Sequence, residues 1–224
     1  MAKKKIWSVM LTAFVIAVTG CGSSPSFDPQ QLVGSWLFDG ENSVMEITIR
    51  PDDTVSLTTY TTTTSQPETF DLRLTNDGKS MTDGEDTRSV RLESGKLVIA
   101  DRLTFSRAQP AEVADSVWIQ KNNAFEIKYT FANDGTYKIE YGGLATMMDG
   151  SILNLVLGEL SNAGIDGTGT YTVSDHYVTL KPNGGTYIVG TPPGNFAKRE
   201  ADSYTLVFIS GQEFFVDGYY YKKQ

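Results

Sequence analysis

Hydrophobic and polar residues alternate with a period of two along most of the chain beyond residue 34. Met45, Ile47 and Ile49 alternate with Glu46, Thr48 and Arg50, the pattern of a strand with one buried face. Pro51-Asp52-Asp53 reads as a tight turn and Val55 to Thr61 as the returning strand, while the β-branched, polar run Thr58 to Thr64 reads as a solvated strand face. Phe70, Leu72 and Leu74 alternate into the hairpin signal Asn76-Asp77-Gly78. Val90 and Leu92 lead into Ser94-Gly95, followed by Leu97 to Ala100 and Leu103 to Arg107, giving seven or eight short strands in about 75 residues. Nine more follow: Val117–Lys121, Phe125–Phe131, Thr136–Tyr141, Gly169–Ser174, Tyr177–Lys181, Thr186–Val189, Tyr204–Ser210, Glu213–Val216 and Tyr219–Lys223. Asn133-Asp134-Gly135 and Asp217-Gly218 supply hairpin turns whose glycines tolerate positive φ. One stretch breaks the period: Ile152, Leu153, Val156, Leu157 and Leu160 recur at helical spacing between Asp149, a cap, and Gly164, a stop. Such an apolar stripe beside a barrel suits its mouth, either as a plug that buries core or as a lid over a cavity.

The strand pattern occurs twice. Gly34-Ser35-Trp36, Met45/Ile47/Ile49, Asp52-Asp53-Thr54 and Val55/Leu57 align with Ser116-Val117-Trp118, Ile127/Tyr129/Phe131, Asp134-Gly135-Thr136 and Tyr137/Ile139 at a constant offset of 82. A second block, Ser94-Gly95 through Arg107, aligns with Ser210-Gly211 through Lys223 at an offset of 116, so the second copy carries 34 extra residues, about one hairpin plus a helix. A fixed self-similarity sets the architecture before any local motif does. Many short strands at regular turn spacing predict closed antiparallel barrels, which leave no sticky edges. The expected fold is all-β: two tandem small barrels at 31–108 and 113–224, the second with a helical insertion at about 144–164. Ala108 to Val113, broken by Pro110, is the expected linker.

The N-terminal segment has a different character. Lys3-Lys4-Lys5 precedes an apolar run from Ile6 to Val18, too short to span a bilayer comfortably, which ends in Val18-Thr19-Gly20-Cys21. This tetrapeptide resembles the lipobox of bacterial lipoproteins. The resemblance implies a signal peptide over 1–20, acylation of Cys21, and attachment to the membrane through that lipid. Gly22 follows the cysteine where an inner-membrane retention signal has Asp, which points to the outer membrane and leaves its face open. Residues 21–30, rich in Ser and Pro, read as an acylated tether. Without residues 1–20 the chain has 16 basic and 27 acidic residues, a net charge of −11. That surface repels phosphate backbones and disfavours nucleic acid as a partner.

The early G-x-W on the first strand, the Asx-Gly-Thr hairpin after the second and the Arg or Lys closing the last resemble the lipocalin-like (calycin) domains of bacterial lipoproteins. In such domains a first-strand Trp seals one end of the barrel and a last-strand Arg stacks on it. Carried over, the resemblance implies that Trp36 pairs with Arg107 and Trp118 with Lys223 as barrel closures. The second copy departs from the pattern twice, with Ser116 in place of Gly and Lys223 in place of Arg. The loop after the first strand is also shorter than the large one that covers the ligand in secreted lipocalins.

Candidate chemistry is sparse. His176, the only histidine, lies in Ser174-Asp175-His176-Tyr177 and reads as a solvated turn residue, and no G-x-S-x-G pattern accompanies it. One histidine and one cysteine cannot make a His/Cys metal site, and Asp83-Gly84-Glu85-Asp86 lacks the spacing of a calcium loop. No cofactor and no enzymatic activity are expected. Binding has more support. Tyr129, Phe131, Tyr137, Tyr171, Phe208, Phe214 and Tyr221 fall where they line the second barrel, either as a cavity for a small apolar or amphipathic ligand or as a packed aromatic core. The first reading makes the protein a membrane-anchored carrier. The alternative is an envelope module with solid barrels, a protein partner and functional loops such as Gly190-Thr191-Pro192-Pro193-Gly194-Asn195-Phe196 beside Lys198-Arg199.

Overall fold

Alternation along each strand decides which wall of a barrel is core, and turn chemistry decides where each strand ends. In the computed structural model, residues 28–40, 43–61, 67–121, 126–142, 167–191, 195–200, 202–216 and 218–224 are described. The expected signal segment, Cys21, most of the expected tether and the expected helical insertion at about 144–164 lie outside them. The chain is all-β and forms two closed eight-stranded antiparallel barrels. Among the described residues no helix is long and apolar enough to cross a membrane.

The first barrel comprises β1 Gly34–Gly40, β2 Ser43–Ile49, β3 Thr54–Thr61, β4 Glu68–Leu74, β5 Ser80–Thr82, β6 Thr87–Glu93, β7 Lys96–Ile99 and β8 Leu103–Arg107. Each strand pairs with the next, and β8 returns to β1 through Trp36↔Arg107 and Leu37↔Ser106. A 3-10 turn, Pro29–Leu32, precedes β1, and the Asp28 carboxylate accepts the Gln30 amide at its start. The barrel is filled by Met45, Ile47, Ile49, Val55, Leu57, Leu72, Leu74, Met81, Val90, Leu97, Ile99 and Phe105, with Leu32 and Trp36 at one end. An eight-stranded barrel of this kind is just wide enough to be filled by its own side chains.

The second barrel uses β9 Ser116–Lys121, β10 Glu126–Phe131, β11 Thr136–Gly142, β12 Thr168–Ser174, β13 Tyr177–Pro182, β16 Tyr204–Ser210, β17 Glu213–Val216 and β18 Tyr219–Lys223. Between β13 and β16 run β14 Thr186–Thr191 and β15 Asn195–Glu200, which pair only with each other. The segment around Gly190 to Phe196, expected as a loop, is therefore part of an antiparallel hairpin outside the barrel wall, with Gly190 opposite Phe196 and Thr191 opposite Asn195. β13 nevertheless pairs directly with β16, through Val178↔Leu206 and its neighbours.

Pairing registers locate the extra residues of the second copy. Thr54↔Arg73 corresponds to Thr136↔Thr170, so equivalent residues are offset by 82 on β3/β11 and by 97 on β4/β12. Trp36↔Arg107 corresponds to Trp118↔Lys223, which brings the offset to 116. The surplus thus enters in two places, between β11 and β12 and around the β14–β15 hairpin. Ala111, expected in the linker, belongs with Val113 to the core of the second barrel.

Candidate functional site

The two sealed ends are built from the same pair of register positions by different means. In the first barrel the Arg107 guanidinium carbon lies 4.3 Å from the centre of the Trp36 ring. Its two terminal nitrogens donate to the carbonyls of Val33 (3.0 Å) and Gln31 (2.7 Å), tying the 3-10 turn across the barrel mouth. Trp36, 1% exposed, donates its indole N–H to the Leu32 carbonyl at 2.8 Å. The buried indole N–H of the closure thereby has its acceptor, as burial requires.

In the second barrel Lys223 Nζ lies 5.6 Å from the Trp118 ring. The Trp118 indole N–H donates to the Ser116 hydroxyl at 2.7 Å, and that hydroxyl donates in turn to the Val113 carbonyl. A serine relay replaces the direct indole-to-carbonyl bond of the first copy. The two departures from the sequence pattern, Ser116 and Lys223, occur together at one closure.

The seven aromatic residues expected around a ligand are packed against one another. Tyr129, Phe131, Tyr137, Phe208, Phe214 and Tyr221 are each 3% exposed or less, and Tyr171 is partly buried against them. Phe214 stacks on Tyr221 (centroids 4.7 Å, interplanar angle 5°), and Tyr129 meets both edge-on, at 5.6 and 5.1 Å. Trp118 meets Phe208 edge-on at 5.0 Å, and Phe131 meets Tyr171 in the same way at 5.2 Å. These are favourable aromatic geometries and they fill space continuously. The Tyr171 hydroxyl donates to the Ala132 carbonyl at 2.7 Å. Burial, with the Asp115 and Asp134 carboxylates nearby, raises its pKa above the ordinary value. Burial alone does the same at Tyr219.

His176, expected as a solvated turn residue, is fully buried. Nonlocal bonds draw the β12–β13 turn inward: Ala111 N donates to the Asp175 carbonyl and Phe208 N to the His176 carbonyl, both at 2.8 Å. Its ring lies 4.0 Å from that of Tyr177, and its Nδ1 is 3.4 Å from an Asp175 carboxylate oxygen. The acidic stretch Asp83 to Asp86 is a self-satisfied turn, in which the Asp83 carboxylate accepts the Glu85 and Asp86 amides. Among the described residues, two recesses open to the surface can be named. One, of about 470 Å³, is lined by Arg50, Asp71, Arg73 and Asp83 among others, and one of about 290 Å³ by Thr130, Thr136, Lys138 and Asn183 among others.

No family model matches the chain, and no curated protein matches it. Among solved structures it is similar to a DNA polymerase sliding clamp from Pseudomonas aeruginosa, at 8% identity over 87% of this chain and 92% of that one, with a TM-score of 0.14. It is likewise similar to the DNA polymerase III subunit beta of the same organism, at 9% identity over 87% and 93%, with a TM-score of 0.14. Overlap at that level carries no argument about fold or function.

Proposed function

We propose that the protein is a bacterial envelope lipoprotein, acylated at Cys21 and held at the outer membrane, whose two lipocalin-like barrels form a non-enzymatic protein-interaction module. The filled aromatic interior of the second barrel is the observation that favours this reading over a small-ligand carrier. The residues that a ligand needs to touch are already in contact with each other.

The β14–β15 hairpin gives the module a candidate contact element. The first barrel joins β5 to β6 through the short turn Asp83 to Asp86, so this fold closes without such a hairpin. An isolated two-stranded hairpin is marginally stable at best in water, and its retention in one copy only suits an element that contacts a partner.

The test removes the hairpin from the full chain by replacing residues 183–203 with the turn Asp83-Gly84-Glu85-Asp86. The direct β13–β16 pairing lets the barrel survive. The expected result is a folded, acylated protein that loses its crosslinked envelope partner. An unchanged crosslinking pattern, or a stoichiometric apolar molecule seen by native mass spectrometry of the protein taken from the envelope, would overturn the module in favour of the carrier.

A further inference from the structure

We infer that the first barrel takes the C-terminal end of an extended partner peptide, added as a strand to β4 with its terminal carboxylate at Arg50 and Arg73. The site is separate from the β14–β15 hairpin and needs neither it nor the lipid anchor. β4 outruns its neighbour: Glu68 to Arg73 all pair with β3, but only Arg73 and Leu74 pair with β5. Main-chain N–H and C=O groups point to alternate sides along a strand. Leu74 N donates to the Asp53 carbonyl, on the β3 side, and Thr75 N to the Ser80 carbonyl, on the β5 side. Phe70 and Leu72 therefore bond toward β3, and the main-chain groups of Thr69 and Asp71 face the other way, beyond the end of β5. Among the described residues those groups have no partner, and both residues are exposed. An open edge of this kind is a template for another strand.

The second barrel closes the same edge. Thr168 is the counterpart of Asp71, and Asn183 donates its main-chain N–H to the Thr168 carbonyl and its Nδ2 to the Thr168 hydroxyl, both at 2.9 Å. Both barrels have a recess here, lined by Thr54, Val55 and Leu72 in the first and by their counterparts Thr136, Tyr137 and Gly169 in the second. Only the first adds arginines: Ala132 stands in place of Arg50, and Thr170 in place of Arg73.

The open edge ends at a wall. β5 stops at Thr82, whose hydroxyl accepts the Gly84 amide at 3.0 Å and donates to the Asp86 carbonyl at 2.9 Å, fixing the turn that follows. A strand added beside Thr69 and Asp71 cannot continue past this turn and ends against the recess of about 470 Å³ that Arg50, Arg73 and Asp83 line. Two guanidiniums at a chain end suit a carboxylate, so the added strand runs parallel to β4. Arg50 is steadied by a 3.3 Å bond from Nη2 to the Ser56 hydroxyl. The Asp83 carboxylate already accepts the Glu85 and Asp86 amides, which leaves Asp71 as the open acid beside the edge. It favours a basic residue near the end of the tail, as does the net charge of −11 beyond residue 20.

The experiment selects a display library of random C-terminal tails, about six residues long to span the edge, on the full chain in detergent and in parallel on its Arg73→Gln variant. The expected result is enrichment, on the parent chain alone, of tails with Lys or Arg near the free carboxylate. One enriched tail is then synthesised as the acid and as the carboxamide. The carboxamide should bind the parent chain at least about tenfold more weakly, as loss of a charge-assisted contact requires. Thr69→Pro, which removes an outward N–H and keeps the β3 pairing, should weaken the acid about as much. In amide exchange the acid should protect Thr69 and Asp71 and leave Thr168 unchanged. A selection without enriched tails, equal enrichment on Arg73→Gln, or a carboxamide that binds as well as the acid overturns the site. So does binding that leaves residues 69 and 71 unprotected. The carboxamide and exchange readouts use the parent chain, so they decide the matter even where a variant fails to fold.

Discussion

A Cβ placed on Gly34 would lie 2.6 Å from Nη1 of Arg107, and Gly34 has φ +127°, a conformation that L side chains rarely adopt. The glycine of the first G-x-W signal is therefore the space into which the arginine clamp folds. In the second copy Ser116 stands at that position, the positive φ has moved one residue back to Asp115 (φ 53°), and the clamp is a lysine without the guanidinium fork. The first prediction is that Gly34→Ser destabilises the first barrel by about 2–3 kcal/mol through backbone strain plus the clash. Adding Arg107→Lys should recover only part of this, because the clash is relieved and the φ is not. Urea unfolding of the two single variants and the double variant measures the coupling, and full recovery would show that strain plays no part.

Ser116 is an acceptor for the Trp118 indole and a donor to the Val113 carbonyl at once. Ser116→Ala removes both partners and leaves a buried N–H and a buried C=O to be satisfied. A cost of about 2–3 kcal/mol follows from the penalty for unsatisfied buried groups. The loss should be confined to the second barrel, which amide exchange resolves strand by strand. Uniform loss of protection in both barrels, or no loss, would count against the relay.

The closures were legible because Trp36, Arg107, Trp118 and Lys223 sit at a constant offset, and register then puts each Trp opposite its cation. The positions of β2 to β4 follow from alternation, which local sequence encodes, and β1 from the repeated Trp signal. β5, only three residues long, and β15 do not announce themselves. Asn195-Phe196-Ala197-Lys198-Arg199-Glu200 lacks alternation, and its pairing with β14 is what makes it a strand. Burial imposed by distant segments was also invisible. His176 is enclosed because residues more than 30 positions away bond to its turn. Glu46, the polar member of an alternating strand, is 3% exposed and accepts the Thr48 hydroxyl. Whether the seven aromatics enclose a ligand or each other depends on ring geometry, which composition does not encode.

Acid should loosen the turns of both barrels. The Asp134 carboxylate accepts the Thr136 hydroxyl (2.6 Å) and amide (3.0 Å), and Asp52 accepts those of Thr54 at 2.6 and 3.1 Å. The threonine hydroxyl bond, then the amide bond, lowers each carboxyl below its ordinary value of 3.8. Asp77 is lowered in the same way, first by the Thr75 hydroxyl and then by the Lys79 amide. A group with a depressed folded pKa contributes stability above its unfolded pKa and loses it as pH falls through the folded value. These turns are therefore at full strength at neutral pH and weaken below about pH 4. Thr136→Val should return the Asp134 pKa toward 3.8 in a carboxyl carbon-13 titration and move acid unfolding of the second barrel to higher pH. An unchanged titration would show that the hydroxyl does not hold the carboxylate.

The internal repeat supplies a stabilising substitution. Asp53 and Gly135 are equivalent: each occupies the left-handed region, at φ 62° and φ 81°, and each offers its carbonyl to the incoming strand, Leu74 N at 2.9 Å and Tyr171 N at 2.8 Å. The second copy uses the residue type that meets this conformation without steric cost, whereas the first strains an Asp to make the same turn. The Asp53 side chain is exposed, and the hydrogen bonds of the turn come from its backbone and from Asp52, so little is lost with its carboxylate. Against the relief stands the greater flexibility that glycine gives the unfolded chain, about 0.4–1 kcal/mol. Left-handed strain on an L residue costs roughly 1–2 kcal/mol, although Asp bears it better than most. Asp53→Gly should therefore be neutral to stabilising by up to about 1 kcal/mol, and Gly135→Asp destabilising by a similar amount. Thermal unfolding of both variants against the parent chain reads the pair. A marked loss of stability in Asp53→Gly would mean that its side chain holds the turn through a contact its twin does without.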